Sequence, residues 1–281
     1  MSVLLSGRVL VGAGLTLFVS LCAMFAPLLA PYDPGEQDLL NILLPPVWSS
    51  GRGTAFPLGT DSLGRDQFAR LLYGARLALL VAVTAACGAA VLGTVLAHIA
   101  GYFGGFLDWL IGRAVEVWMS FPPVILSLIL MVGLGTGADR VVLAIVLVDW
   151  TRFCRVLRAE VLVTTQRDYV TAARLSGFTH LQTLIREILP ATLPLLITLL
   201  SLEMGIAVIV EAILSFVGLG VAADQVAWGQ MIADARSNFA LAPWTLLLPM
   251  AAIFLTVTGF NLLGDGLRRT LDVRQTIARS A

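Results

Sequence analysis

Glu203 and Glu211 are carboxylates inside a long apolar stretch of this sequence, and an ionisable group in such surroundings is costly enough to mark a working site by default. They stand eight residues apart, roughly 80° around a helix, so they share a face. Glu203, deeper in the run, is expected to line a path for a polar solute or to touch a partner subunit. Glu211 can also serve by hydrogen bonding to a neighbouring helix. Asp149 lies close to Arg152 and Arg155, a spacing that suits a structural ion pair near one end of a span. Covalent chemistry has no comparable candidates. All 18 basic residues are arginine, so a phosphate-binding loop with its lysine is excluded. No HExxH sequence and no convincing Ser, His and carboxylate set occurs, and no catalytic residue is assigned. His98 and His180 are the two histidines, too few for a cluster, so no metal site is expected. Cys22, Cys87 and Cys154 are dispersed in or beside apolar runs and read as small hydrophobes.

The elements that hold these groups must be membrane helices. The 281 residues are 58% hydrophobic and 13% charged, with mean hydropathy +0.90, whereas charged residues make up about a quarter of a soluble domain. Residues 9–31 form an apolar run of 23, long enough at 1.5 Å per residue for a hydrocarbon core of about 30 Å. A secretory signal usually has an apolar core of about 7–15 residues, and Pro31 after Ala30 obstructs cleavage, so an uncleaved first helix is expected. Further spans are expected over 77–100, 117–134, 141–153, 190–217 and 243–263, the short fourth one borrowing a turn from 151–158. Six spans result, in an all-α integral membrane protein with no internal repeat. Arginine placement sets their orientation. With the N-terminus cytoplasmic, twelve arginines fall inside (8, 113, 152, 155, 158, 167, 174, 186, 268, 269, 274 and 279) and six outside (52, 65, 70, 76, 140 and 236). Both termini and the segment 168–190 are then cytoplasmic.

That segment is a polar island between apolar runs. Asp168 is positioned to N-cap a short helix, and Gly177 suits the left-handed position that ends it. Thr179 and Gln182 have capping-box spacing for a second helix running to Pro190. Ala172 and Ala173 between the caps present almost no side chain, so a foreign surface can approach the backbone closely. The island reads as a docking hairpin. On the opposite side, Gly59 and Gly64 permit tight turns, Asp61 and Asp66 can cap helix starts, and Trp228, Met231 and Ile232 suit a partly buried interfacial helix, with Trp244 as an anchor. Gly101 and Gly105 have the spacing of close helix packing, and Pro122 with Pro123 breaks a helix where a cavity or neighbours can satisfy the freed backbone.

The hairpin resembles the "EAA" loop of permease subunits in binding-protein-dependent ABC importers, through Ala172, Ala173, Gly177, Leu189 and Pro190. Thr171 stands where that loop has glutamate, and Glu187 where isoleucine is common. Residues 58–76 resemble the outer segment before the second helix in the peptide and nickel branch. So do Gly101 to Gly105 with Ser120, Phe121, Pro122 and Pro123, the stretch 211–220, and 260–269 with Asp272. These stretches occur in family order over nearly the whole chain. The resemblance implies a type I ABC importer permease fold of the second-position type. It implies an ATPase-coupling site of Asp168, Thr171, Ala172, Ala173, Arg174, Gly177, Leu189 and Pro190, and a translocation path or subunit seam at Glu203, Glu211, Phe121 and Pro122, Glu211 as a gate or interface position near the outer end. It implies no cofactor in this chain, ATP and magnesium in partner subunits, and four kinds of contact: a second homologous permease, two cytoplasmic ATPases, an extracytoplasmic binding protein and membrane lipid. No nucleic acid is implied.

The expected organisation is an N-terminal helix and outer arm (1–57), an outer interfacial helix (58–76), a permease domain (77–270) containing the hairpin, and a cytoplasmic tail (271–281). The expected substrate is a di- or oligopeptide; nickel or a metal-chelator complex shares the scaffold. An ion-coupled secondary transporter is the alternative of another class. Glu203 would suit it, but it leaves the hairpin unexplained and normally requires internal repeats.

Overall fold

The computed structural model describes residues 7–50, 55–222 and 225–271, and the described residues are helical apart from loops and one isolated β-bridge, Thr60 with Asp66. In chain order the α-helices are α1 (Gly7–Met24), α2 (Ala26–Leu29), α3 (Val47–Ser50), α4 (Gln67–Phe103), α5 (Gly105–Met119), α6 (Pro123–Leu134), α7 (Ala138–Thr165), α8 (Asp168–Leu175), α9 (His180–Thr183), α10 (Leu189–Phe216), α11 (Trp228–Ala235) and α12 (Pro243–Leu271). Four helical stretches are long and apolar enough to cross a membrane: α1, α4, α9 running on into α10, and α12. The bent pair α5 and α6 makes a fifth. α7 has 28 residues, about 42 Å at 1.5 Å each, but carries five charged side chains from Asp149 to Glu160.

α4 begins where Asp66 caps it, the carboxylate accepting from the Phe68 and Ala69 amides, each at 3.1 Å. Burial pushes the Asp66 carboxyl above the usual carboxylate range, and those two N–H donors offset only part of that rise. From there α4 runs unbroken for 37 residues. Residues 58–76 therefore do not form a separate helix. The first part, up to Asp66, is arm, and the rest is the beginning of α4.

α4 packs against α7 along a stripe of small residues. Ala78, Ala82, Ala85, Ala86 and Ala89 are wholly buried there, as are Val141, Ala144 and Ile145 of the facing helix. At Gly93 a methyl group would sit 2.5 Å from both the Trp150 carbonyl oxygen and the Phe153 Cβ. Only a glycine lets the backbones come this near, and close approach is how membrane helices gain packing energy without a hydrophobic drive. Gly101 repeats the arrangement against Val161. Gly105 does not: α4 has already ended at Gly104, and a Cβ on Gly105 would meet open space. The two glycines serve different helices, not one packing face.

The span expected over 117–134 is broken. α5 ends at Met119, α6 starts at Pro123, and the two are bent by 90°. Proline lacks an N–H and pushes the preceding residue out of helical geometry, and here Pro122 is itself the residue before Pro123, with ψ 127. Two prolines in succession therefore stop the helix that hydropathy alone would continue.

The arm ahead of α4 packs against α11 and the start of α12. Thr60 Oγ1 accepts from the Leu44 amide at 2.8 Å, and Trp244 Nε1 donates to the Thr60 carbonyl at 3.3 Å. Arg65 joins Asp61 at 2.6 Å to Asp234 of α11 at 2.9 Å. Asp61 thus anchors a turn and an ion pair and does not start a helix; its carboxylate accepts from the Leu63 and Arg65 amides. α11 is partly buried, with Met231 buried and Ile232 half-buried. Trp228 is 2% exposed and donates to the Leu71 carbonyl at 3.0 Å.

Candidate functional site: the hairpin and the buried carboxylates

α8 is N-capped by Arg167 in extended conformation, without a side-chain hydrogen bond. Asp168 is one residue too late to cap. As the first helical residue it faces the positive end of the helix dipole. The other end of α8 is built as the sequence requires. Gly177 takes φ +90, its amide donates to the Arg174 carbonyl at 3.0 Å, and the Phe178 amide reaches back to Ala173 at 3.2 Å. These two bonds are the Schellman closure, which needs a left-handed residue at the position of Gly177. Thr179 and Gln182 then form a complete capping box, Thr179 N–H to Gln182 Oε1 at 2.9 Å and Gln182 N–H to Thr179 Oγ1 at 3.3 Å.

The second arm does not stop at Pro190. Leu184–Ile188 widen into a π turn, the Leu189 amide donates to Leu184, and α10 continues through Pro190 and Pro194 to Phe216. A widened turn is a common way for a helix to absorb residues that cannot keep the regular ladder. The arm of the hairpin and the span after it are consequently one continuous helical rod.

The hairpin is exposed on one side and gripped on the other. Thr171, Ala172 and Arg174 are exposed, Ala173 is half-buried, and Leu175 (84% exposed), Leu181 and Ile185 form an apolar crest. Leu189 is half-buried and Pro190 exposed. On the gripped side Val170 is fully buried. Tyr102, at the end of α4, bonds His180 Nδ1 through its hydroxyl at 2.9 Å and carries the Arg174 guanidinium 4.8 Å above its ring. This tyrosine lies more than 70 residues before both partners, and nothing local in the sequence announces the contact. Next to it His98 is buried, its ring between the Thr94 carbonyl at 2.8 Å and the Thr192 hydroxyl at 3.3 Å.

Glu203 and Glu211 are both 1% exposed, in different surroundings. Glu211 accepts from Ser215 Oγ at 2.6 Å on its own helix. Glu203 reaches across to α7, where Arg152 Nη1 donates to its Oε2 at 2.8 Å. Asp149 lies 3.5 Å from the same guanidinium, so the local ion pair exists but is the longer of two. Arg155 is not part of it and turns towards the Met119 sulfur. Phe121 and Pro122 are exposed at the break between α5 and α6, and no hydrogen bond, ion pair or ring contact among the described residues joins them to either glutamate. Beside Glu203 a concavity of about 190 Å³ opens between α7, α10 and α12, lined by Arg152, Phe153, Leu199, Leu202, Ile206 and Asn261.

Residues 89–277 match the family described as binding-protein-dependent transport system inner membrane component, and residues 8–46 match the N-terminal transmembrane domain of oligopeptide transport permease C. The chain belongs to this permease family. It is 39% identical to the di/tripeptide transport system permease protein DppC of Pseudomonas aeruginosa, over 91% of this chain and 84% of that one. It is 38% identical to the dipeptide permease DppC of Alkalihalophilus pseudofirmus, over 90% and 81%. The glutathione transport system permease protein GsiD of Pectobacterium atrosepticum is 38% identical, over 94% and 87%. A solved chain described as an amino acid ABC transporter with histidines shares the fold, with a TM-score of 0.56 at 17% identity, covering 71% of this chain and 93% of that one. The permease is a multi-pass protein of the inner membrane. Its match to the peptide branch is carried by the arm as well as by the membrane domain.

Proposed function

We propose that this permease forms half of the translocation path of an ABC importer for di- or oligopeptides. A second homologous permease supplies the other half, two cytoplasmic ATPase subunits hold the ATP and magnesium, and an extracytoplasmic binding protein delivers the substrate. The carrying observation is the hairpin: a capped, partly apolar crest, exposed on one side and continuous with α10 on the other. The names of the relatives support peptides as the substrate class. Asp168, Thr171, Ala172, Ala173, Arg174, Gly177, Leu189 and Pro190 form or flank the docking surface in this reading. ATP-driven closure of the ATPase pair moves the hairpin; the π turn passes the movement to α10, and Tyr102 passes it to α4. A full reversal of a two-state equilibrium requires differential binding of about 5.5 kcal/mol, which closure of an ATP dimer can supply. Solubilised and purified gently, the chain is expected to bring an ATPase with it, while the chain alone neither binds nor hydrolyses ATP. Turnover by the isolated chain, or purification with no ATPase from cells that express the whole system, would overturn the assignment.

In the same reading α7 completes six spans, both termini are cytoplasmic, and the arm with α11 is extracytoplasmic. The excess of arginine on the hairpin side supports this orientation. The arm (1–57), the segment 58–76, the permease domain (77–270) and the tail (271–281) keep the roles expected of them, except that 67–76 belongs to α4. A reporter fused after Ala281 is expected to be cytoplasmic and one inserted near Ser50 external; Ala281 lies outside the described residues, and so do residues 51–54 that follow Ser50. The opposite labelling would put the hairpin on the wrong side for an ATPase.

A further inference from the structure

Two adjacent residues at the start of α11 touch two different helices. Trp228 lies against α4: its Nε1 donates to the Leu71 carbonyl at 3.0 Å, and a methyl group on Gly74 would sit 2.5 Å from the indole Cδ1. Gly229 lies against α10, where a Cβ would overlap the Ala212 carbonyl. Both residues are buried, and a close-packed contact of this kind is kept or exchanged for another, not stretched. The other ends of the same two helices meet at the hairpin. α10 grows out of its second arm through the π turn. α4 ends at Tyr102 and Phe103, and Tyr102 holds His180 and Arg174. With 37 residues and no proline, α4 is an unbroken rod of about 55 Å.

We propose that Trp228 is a positioning residue for transport: wedged with Gly229 between α4 and α10, it makes the outer mouth follow the hairpin. A slide of one helix past the other, started at the hairpin, cannot leave this one peptide unit seated on both, so α11 moves. α11 takes the arm with it, because Arg65 joins its Asp234 to Asp61, and the buried Arg70 of α4 lies 3.9 Å from the same Asp234 carboxylate. Gln230, the next residue of α11, borders a concavity of about 210 Å³ with Thr136, Ser215 and Gly218, whose width changes as α11 shifts. Coupling between two sites is reciprocal, so a protein that docks on the arm and α11 from outside biases the hairpin by the same amount. The inference rests on the importer reading and supplies the outer element that reading leaves open.

The test uses the assembled importer with its ATPase subunits in nanodiscs, with and without dipeptide-loaded binding protein. Trp228→Phe removes the donor to Leu71; Gly74→Ala keeps the tryptophan and pushes its ring off α4. In both variants ATP hydrolysis per complex without binding protein is expected to stay at the unmodified rate. Its stimulation by the loaded binding protein should fall about fivefold, the scale of one hydrogen bond between uncharged groups. A residue that only braced the fold would change the amount of complex and leave the ratio of the two rates alone. The second measurement places Gln230→Cys in a chain whose Cys22, Cys87 and Cys154 are replaced by alanine, and follows its labelling by a maleimide. The labelling rate should change several-fold when ATP and vanadate trap the closed ATPase pair, and the change should vanish in Trp228→Phe. This measurement needs no altered wedge to show whether α11 moves, so poor assembly of a variant does not remove the test. Labelling that ignores the trapped state in the chain retaining Trp228, or unaltered stimulation in both variants, would overturn the proposal. Each is read on a complex that holds its ATPase and hydrolyses ATP, so the importer assignment stands either way.

Discussion

Gly177→Leu is expected to abolish uptake while the chain remains in the membrane. A Cβ at this position would meet no atom within 4 Å, so the substitution causes no clash. Its cost lies in the backbone, which at φ +90 is disfavoured for an L-residue by about 1–2 kcal/mol. A membrane protein of this size can tolerate that loss. The hairpin cannot, because the same residue closes α8 and sets the direction in which Thr179 starts α9. Relaxing φ to negative values breaks the bonds from Gly177 to Arg174 and from Phe178 to Ala173, and it re-aims Leu181 and Ile185 relative to Leu175. The added side chain also stands on the face a docking partner would cover. Uptake of a labelled dipeptide, the membrane-fraction level of the chain and the amount of ATPase that co-purifies separate these effects. Gly177→Asn, which accepts the left-handed region more readily, should retain more activity than the leucine variant. Normal uptake and normal ATPase recovery in Gly177→Leu would remove the docking role from the hairpin.

What the sequence could disclose about this region follows from distance along the chain. The closure at Gly177 and the box between Thr179 and Gln182 each involve residues within five of one another, so residue type and spacing specify them. The grip of Tyr102 on His180 and Arg174 spans the folded molecule, and its residues carry no local mark. Asp149 and Arg152 illustrate the same limit from within one helix. Their i,i+3 spacing suggests a pair, but the nearer partner of Arg152 is Glu203, 51 positions away on α10. Helix ends were legible only where one rule acted alone. Pro190 reads as a stop, yet the π turn carries the helix past it. Pro122 and Pro123 together do stop one, inside a stretch whose hydropathy predicts a single span. The capping position fell one residue early, at Arg167, because an extended backbone alone sufficed there.

Glu203→Leu is expected to impair uptake more than Glu203→Gln, and the structure gives the reason. Arg152 Nη1 has its close acceptor in Glu203 Oε2 at 2.8 Å, while Asp149 is 3.5 Å from the other nitrogen. Glutamine keeps an amide oxygen facing the guanidinium. Leucine leaves Arg152 with only the longer contact to Asp149, a loss of roughly 1–3 kcal/mol, towards the lower end because the Arg152 side chain is 35% exposed. An uncompensated charge of this kind destabilises through the partner left behind, and removing both partners is often better tolerated than removing one. Arg152→Met together with Asp149→Asn in the Glu203→Leu background, which removes all three charges, should accordingly restore the amount of assembled complex without restoring uptake. That split is the decisive reading. Recovery of both would make the ion pair a structural brace alone, and wild-type uptake per complex in Glu203→Leu would make it dispensable. Recovery of assembly with uptake still lost would mean that the carboxylate acts on whatever passes beside it.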